Sequence, residues 1–393
     1  MSSADVKTVP LKFIGRIVSG GTPRSDDSNW GGDLPFVTPP DLNGLDGARI
    51  SAWERSLTSE GAADSSVVRD AVLLSCRAPI GHIGIALREV AFNQGCKAII
   101  PVDRRDLRYL AYGLVGARKA LETAGRGTTF TELSTSALGS LSLPWPEASR
   151  RSFLADYLDG ETRRIGAMLD RLADLAVKLR ERRGAAWSSV YARGFETRRL
   201  QWLMDEVDER AEQRYQGLPL LSVSIHHGVQ RREESTSRQQ ASTDLSKYKV
   251  ARRGDIALNR MRAFQGGLGQ ARIDGLVSPD YAVLRPREGL TADWAEYVMR
   301  SPTFVDEMSQ WLRGIGAADQ SKVRTPRINV RDLMALSIPM AASDELGRVT
   351  GELDETTARI DAMLAKVAQL ESLLLERRAA LITDVVTGRK DVA

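Results

Sequence analysis

Two stretches of the chain carry the same narrow apolar stripe. The first has Leu158, Ile165, Met168, Leu169, Leu172, Leu175 and Leu179, and the second has Leu353, Ile360, Met363, Leu364, Val367, Leu370 and Leu374. Steps of three and four residues that recur at seven predict amphipathic helices with a coiled-coil seam over about three heptads. Asp170, Arg171, Asp174 and Lys178 occupy the other faces of the first stretch, and Glu371, Glu376, Arg377 and Arg378 those of the second. A stripe this narrow suits one partner helix. The residues expected to meet are Ile165, Met168, Leu169, Leu172 and Leu179 on one side, and Ile360, Met363, Leu364, Val367 and Leu374 on the other. The alternative is that each helix covers only the core of its own domain. A helix of about 40 residues is about 60 Å long and outruns such a domain.

The two stretches are copies. Residues 141–192 align without a gap on residues 336–387, an offset of 195, with 19 identities in 52 positions. Leu141-Ser142-Leu143-Pro144 meets Leu336-Ser337-Ile338-Pro339, and Glu181-Arg182-Arg183 meets Glu376-Arg377-Arg378. Upstream the likeness is weaker and the offset is 185. Asp70–Leu74 lines up with Asp255–Asn259, Ala98–Pro101 with Val283–Pro286, and Tyr109-Leu110 with Trp294-Ala295. The helices have stayed alike while the globular parts diverged. A repeat of this length is a supersecondary unit used twice.

In the globular parts the apolar runs are short and broken by Gly and Pro. Val72–Leu74, Ile83–Ala86 and Ala98–Ile100 read as strands in the first copy, and Leu220–Ile225, Asp255–Leu258 and Tyr281–Leu284 in the second. Leu107–Ala120 and Ala292–Arg300 read as helices. This is an α+β pattern, not the strict alternation of a doubly wound sheet. Antiparallel pairing of the long helices would relate the two halves by a pseudo-twofold axis.

Composition narrows the reading further. The chain has 393 residues, 42% of them hydrophobic, which is long enough for two domains with cores of their own. The formal charge is only +4 but the pI is about 9.1, which permits a polyanionic partner. Two cysteines, Cys76 and Cys96, are too few for a disulfide framework and read as core residues in a reducing cytoplasm. Met1–Pro10 is polar, unlike a signal peptide, and no run approaches the length needed to span a bilayer.

The loops carry the candidate chemistry. In copy one, Gly21, Thr22, Arg24, Thr38, Arg77, His82, Arg126 and Thr128 sit among small polar and basic residues. In copy two the corresponding set is His226, His227, Asn259, Arg260, Arg262, Gln265, Gln320, Lys322 and Arg324. Glycine lets backbone approach phosphate, and Arg, Asn and Gln make bidentate contacts to base edges. These are candidate DNA-binding residues, with ordinary surface loops as the alternative. No catalytic constellation is evident. Thr38-Pro39-Pro40-Asp41 lacks the first and last residues of the Asn/Asp/Ser-Pro-Pro-aromatic motif of amino-methyltransferases and reads as a turn. There is no GxxxxGK[ST] loop, and the three histidines lack metal-ligand spacing.

The opening Val9-Pro10-Leu11, Ser19-Gly20-Gly21-Thr22-Pro23 and Trp30–Leu42 resembles the start of a target recognition domain in the specificity subunits of type I restriction-modification enzymes. The two Leu-Ser-Leu/Ile-Pro segments and their helices resemble that family's two conserved regions. Copy two lacks the Gly-Gly-Thr-Pro opening. The resemblance implies recognition domains at 1–149 and 195–345, and spacer helices at 150–194 and 346–393. It implies a non-catalytic subunit in the cytoplasm that reads a bipartite site in double-stranded DNA. Two methyltransferase subunits and, through the complex, restriction subunits would be its partners, with no membrane involved. The chain itself would hold no cofactor or metal; the partners would bind S-adenosylmethionine, ATP and Mg. Half-sites about 34 Å apart, one helical turn, would suit the helix ruler. A diverged DNA methyltransferase and a coiled-coil scaffold for two protein-binding domains are the competing readings.

Overall fold

The computed structural model describes residues 7–125, 132–212, 217–232, 245–310 and 327–392, and the backbone of 311–313. The chain divides into two compact units, one of residues 1–172 with 369–393 and the other of residues 173–368. The first contains strands β1 (Thr8–Pro10), β2 (Gly15–Ser19), β3 (Trp30–Val37), β4 (Arg55–Leu57), β5 (Ser66–Val68), β6 (Ala71–Ser75), β7 (Ile83–Ala86), β8 (Val90–Phe92), β9 (Cys96–Pro101) and β10 (Ser142–Pro144). Its helices are α1 (Leu11–Ile14), α2 (Ser59–Ala63), α3 (Leu107–Gly116), α4 (Arg118–Ala124), α5 (Thr135–Ser140) and the first part of α6 (Ala148–Ser188). The second contains β11 (Glu196–Arg199), β12 (Met204–Glu206), β13 (Leu221–Ser224), β14 (Gly228–Arg231), β15 (Lys249–Ala251), β16 (Ile256–Asn259), β17 (Leu268–Gln270), β18 (Gly275–Val277), β19 (Tyr281–Pro286) and β20 (Ser337–Met340). With them come α7 (Leu200–Leu203), α8 (Ala292–Arg300), α9 (Pro302–Arg313), α10 (Val330–Ala335) and the first part of α11 (Ser343–Val386).

In the first unit the central sheet has the order β2-β9-β6-β7 and is antiparallel throughout. One face, with Val72, Leu74, Ile83 and Ile99, shares a core with Leu110 and Leu114 of α3. Leu154 and Leu158 of α6 and Ile382 and Val385 of α11 close the same core. The other face, with Ala71, Leu73 and Ala98, packs on Val37, Leu42 and Phe92. A strand buried on both faces must be apolar at every position, which is why Ala71–Leu74 is an unbroken run. Cys76 and Cys96 lie in cores on opposite faces of this sheet. Burial pushes the Cys76 thiol up to about 12 and raises that of Cys96 as well, so both are inert core residues. The start of α6 meets the end of α11, with Arg150 Nη2 3.2 Å from Asp391 Oδ1, so the two helix segments run antiparallel here.

The second unit repeats the plan. Its sheet has the order β12-β19-β16-β17. Ile256, Leu258 and Leu284 share a core with Trp294 and Val298 of α8, Trp187 of α6 and Val349 of α11, and Ala257 and Val283 pack on Leu221 and Val277. Trp294 is fully buried and its indole N–H donates to Pro339 O at 2.9 Å. Rising numbers on α6 meet falling numbers on α11: Arg183 contacts Asp361, Trp187 contacts Thr357 and Arg193 contacts Glu352. The two segments are antiparallel here too.

The structure adds a third offset. Leu11–Ile14 and Leu200–Leu203 are equivalent one-turn helices, each leading into an edge strand of its sheet, at an offset of 189. Each Leu-Ser-Leu/Ile-Pro segment is a strand, β10 or β20, paired with the strand that opens its unit, β1 or β11. The expected helix 107–120 is two helices, α3 and α4, broken at Ala117.

The expected seam needs one correction. Ile165, Leu179, Ile360 and Val367 are buried, and Leu169, Leu172, Leu364 and Leu374 are half-buried. Met168 and Met363 are instead 50% and 52% exposed. The buried stripe steps 165, 169, 172, 176, 179, so a residue three after Ile165 rotates off it. Met363 stands in the same place after Ile360 on α11.

Candidate nucleic-acid interface

In the first unit the sequence candidates gather at one end of the central sheet. The end of β2 and the start of β9 pair at Ser19 and Lys97, and the end of β6 pairs with the start of β9 at Ser75 and Cys96. The loops Gly20–Arg24, Arg77–His82 and Asn93–Gly95 therefore lie together. Gly20 N donates to Cys96 O at 3.2 Å, Gly21 N donates to Phe92 O at 3.0 Å, and the Thr22 hydroxyl donates to Gln94. The need for glycine at position 20 is steric: a Cβ there would lie 1.9 Å from Asn93 O. Arg24 is almost fully exposed, with Asp64 at 3.8 Å. Pro39 packs beside Gly95, which brings Thr38 to the same end. The Thr38 hydroxyl is spent on Asp41 Oδ2 at 2.6 Å, closing a capping turn. Arg77 Nε donates to Glu132 Oε2 at 3.1 Å in a half-exposed pair. His82 is half-buried and its pKa is lowered, first by burial and then by Arg118.

The second unit brings the equivalent loop, after β16, to the equivalent end. Arg262 is the counterpart of Arg77 at offset 185 and is exposed, as is Gln265. Asn259 is not available to read a base. It is 8% exposed, its Nδ2 donates to the Tyr281 hydroxyl at 3.3 Å, and its Oδ1 accepts from Met261 N at 3.1 Å. Arg260 is half-buried, donating from Nε to Ile328 O at 3.1 Å, and burial followed by neighbouring Arg327 lowers its pKa. Two arginines absent from the sequence-based set join this end. Arg327 reaches Asp280 at 2.9 Å, and Arg232 lies with Arg262 near Tyr281, where their charges oppose the rise that burial causes in its pKa. In the sequence Arg232 stands beside Arg231, and Arg327 follows Arg324 by three residues; neither spacing by itself marks a site.

His226 and His227 are exposed but sit elsewhere, at the tip of the β13–β14 hairpin. His226 O accepts from Arg183 at 3.2 Å and from Arg300 at 3.1 Å. That tip is anchored on a long helix, and burial lowers the His226 pKa with Arg180 next. Arg126, Thr128, Gln320, Lys322 and Arg324 lie outside the described residues. In both units the chain that follows these stretches returns to the same loop. Leu133 N donates to Cys76 O at 2.9 Å, and Ile328 N donates to Arg260 O at 3.1 Å. The first unit also has an open groove of about 860 Å³ lined by Asp33, Arg69, Arg88 and Glu89, whose charges balance.

Residues 3–182, which include the whole first globular part, match the family described as type I restriction modification DNA specificity domain. That segment is similar to the type I specificity domain. The specificity subunit of the type I restriction enzyme MjaIX of Methanocaldococcus jannaschii is 34% identical over 160 residues, 39% of this chain. That match spans only 37% of the relative's own length. A solved chain from work on complex assembly and conformational transition of the type I R-M system shares the fold, with a TM-score of 0.65, 18% identity and 97% of both chains covered. The HsdS subunit from Thermoanaerobacter tengcongensis gives a TM-score of 0.45 at 18% identity over 98% of this chain and 97% of its own. The matched segment ends within α6, and the second unit is an internal repeat of it in this chain. Among the described residues no helix is long and apolar enough to cross a membrane.

Proposed function

We propose that this chain is the non-catalytic specificity subunit of a type I restriction-modification complex, reading the two halves of a bipartite site in double-stranded DNA. One observation carries the reading. The two units share strand order and their packing on the long helices, whereas the loops at the open end of each sheet differ in length, charge and sequence. A repeated scaffold with two unlike loop sets suits two unlike half-sites. On this reading Arg24 and Arg77 in one unit, and Arg232, Arg262, Gln265 and Arg327 in the other, are side chains that meet DNA. α6 and α11 act as the spacer, and two methyltransferase subunits dock on the chain, with restriction subunits joining through them. S-adenosylmethionine, ATP and Mg belong to those partners.

The test is duplex binding by the chain assembled with its methyltransferase subunit. Affinity should fall linearly on a log–log plot with salt, with a slope of about −0.9 for each phosphate neutralised. Scrambling either half-site should weaken binding by about 1–3 kcal/mol for each base pair changed. Salt-insensitive binding, or indifference to both half-sites, would contradict the proposal and favour a protein-binding scaffold.

A further inference from the structure

Each unit contains the same three-residue joint between its globular part and a long helix. In the first unit Tyr112 of α3 is 6% exposed, its hydroxyl donates to Asp159 Oδ1 of α6 at 2.7 Å, and Thr162 Oγ1 lies 3.2 Å away. With the Tyr112 proton on Asp159, the Thr162 hydroxyl is the donor in that contact, sharing its single proton between the Tyr112 oxygen and Leu158 O, 2.7 Å away. In the second unit Tyr297 of α8 donates to Asp354 of α11 and hydrogen-bonds Thr357, which accepts from Trp187 Nε1 at 3.0 Å. The tyrosines are related by the globular offset of 185, and the aspartates and threonines by the helical offset of 195. The two offsets meet in one contact.

A second strut repeats as well. Arg378 of α11 donates to Leu45 O at 3.2 Å in the first unit, and Arg183 of α6 donates to His226 O at 3.2 Å in the second. These arginines are also related by 195. Each globular part is therefore seated on both helices, by tyrosine on one and by a backbone carbonyl on the other, with the helices exchanging roles between units.

The surroundings did not repeat. Arg108 clamps Asp159 at 2.6 Å in the first unit, but its counterpart at offset 185 is Asp293, which pairs with Arg272. Fold stability alone asks only for apolar contact at such a seam, and apolar contact is non-directional. A part-buried tyrosine–carboxylate bond fixes one rotation and one axial position. A slip of one residue along a helix is about 1.5 Å with a turn of about 100°, against about 3.4 Å for one base pair.

We infer that Tyr112, Asp159 and Thr162 with Arg378, and Tyr297, Asp354 and Thr357 with Arg183, are positioning residues that set the phase of each globular part on the helices and so the separation of half-sites the chain accepts. This rests on the DNA-reading proposal above. The experiment uses the full chain with its methyltransferase subunit and duplexes carrying both half-sites at the native spacing, one base pair shorter and one longer. In Tyr112→Phe/Tyr297→Phe the preference for native over altered spacing falls about tenfold, the scale of a hydrogen bond to a charged group, while half-site preference is kept. Thr162→Val/Thr357→Val, which loses the second partner of each tyrosine with little change of shape, gives the same direction should the tyrosine variant fold poorly. Equal weakening on all three duplexes, or an unchanged preference, overturns the inference and leaves a merely structural bond. A wild-type chain without any spacing preference overturns the DNA-reading proposal along with it.

Discussion

Gly20 and Gly21 are adjacent, yet substitution by alanine should affect them very differently. A Cβ at Gly20 would stand 1.9 Å from Asn93 O and 2.5 Å from Asn93 C, both backbone atoms of the turn it abuts. Ordinary contact begins near 3.4 Å, so the loop must retreat by the difference, 1.5 Å. That is enough to break the Gly20 N–Cys96 O and Gly21 N–Phe92 O bonds, now 3.2 and 3.0 Å. It also strains the Ser66 and Ser65 hydroxyl bonds to Ser19 O and Gly21 O, now 2.8 and 2.7 Å. Two lost bonds at about 1 kcal/mol each, plus displacement of the loop, give a loss of about 2–4 kcal/mol. At Gly21 the nearest atom to a new Cβ is Asp64 O at 3.7 Å, so alanine there should cost less than about 0.5 kcal/mol. Urea unfolding of Gly20→Ala and Gly21→Ala measures the difference. Duplexes with one half-site scrambled then show whether Gly20→Ala harms only the half read by the first unit. Equal, small effects of the two substitutions would refute the reasoning.

Asp106→Asn should cost about 3–5 kcal/mol in urea unfolding, because Arg151, 12% exposed, would lose a bidentate partner at 2.7 and 2.9 Å; a cost below 1 kcal/mol would contradict this. Met168→Lys and Met363→Lys should change the stability of the isolated chain by no more than about 0.5 kcal/mol, since both side chains are half-exposed; a loss of several kcal/mol would return them to the seam. His82 and His226 have pKa values lowered by burial from 6.5. Their unfolded forms take up protons first as pH falls below about 6.5, so this part of the stability is complete above that pH and is lost as pH drops toward the folded values. The melting temperature of His82→Gln/His226→Gln should therefore depend less on pH between 7 and 5 than that of the wild type.

The parts of the fold that sequence exposes are those with a strict period or none. The long helices announce themselves by steps of three and four, and the central strands by short apolar runs, because β6 and β9 are buried on both faces. β3 carries neither signal: Trp30–Val37 holds two glycines and a proline and is half-exposed along much of its length. The 189 offset of α1 and α7 was hidden because only Leu11 and Leu200 remain identical in a four-residue helix. Steps of three and of four from Ile165 both land on apolar residues, Met168 and Leu169, and only packing shows that Leu169 faces inward. Of the candidate site, part is carried by local composition and part by packing. Loop composition points to Arg77 and Arg262, and the structure puts them in equivalent loops after β6 and β16. Asn259 has the chemistry of an adenine reader, but a tyrosine hydroxyl across the sheet holds it inside. Arg232 and Arg327 reach the same sheet end through pairing that no local pattern encodes.

The central claim is that two independent readers share one spacer, and exchange of one reader tests it most directly. Residues 1–145 are replaced by the equivalent segment of a type I specificity subunit, and adenine methylation is mapped by sequencing in cells that carry the methyltransferase subunit. The account predicts that one half of the methylated site changes while the other half and the spacing stay as they were. A methylated site altered in both halves or in spacing, or one that does not change at all, would contradict it.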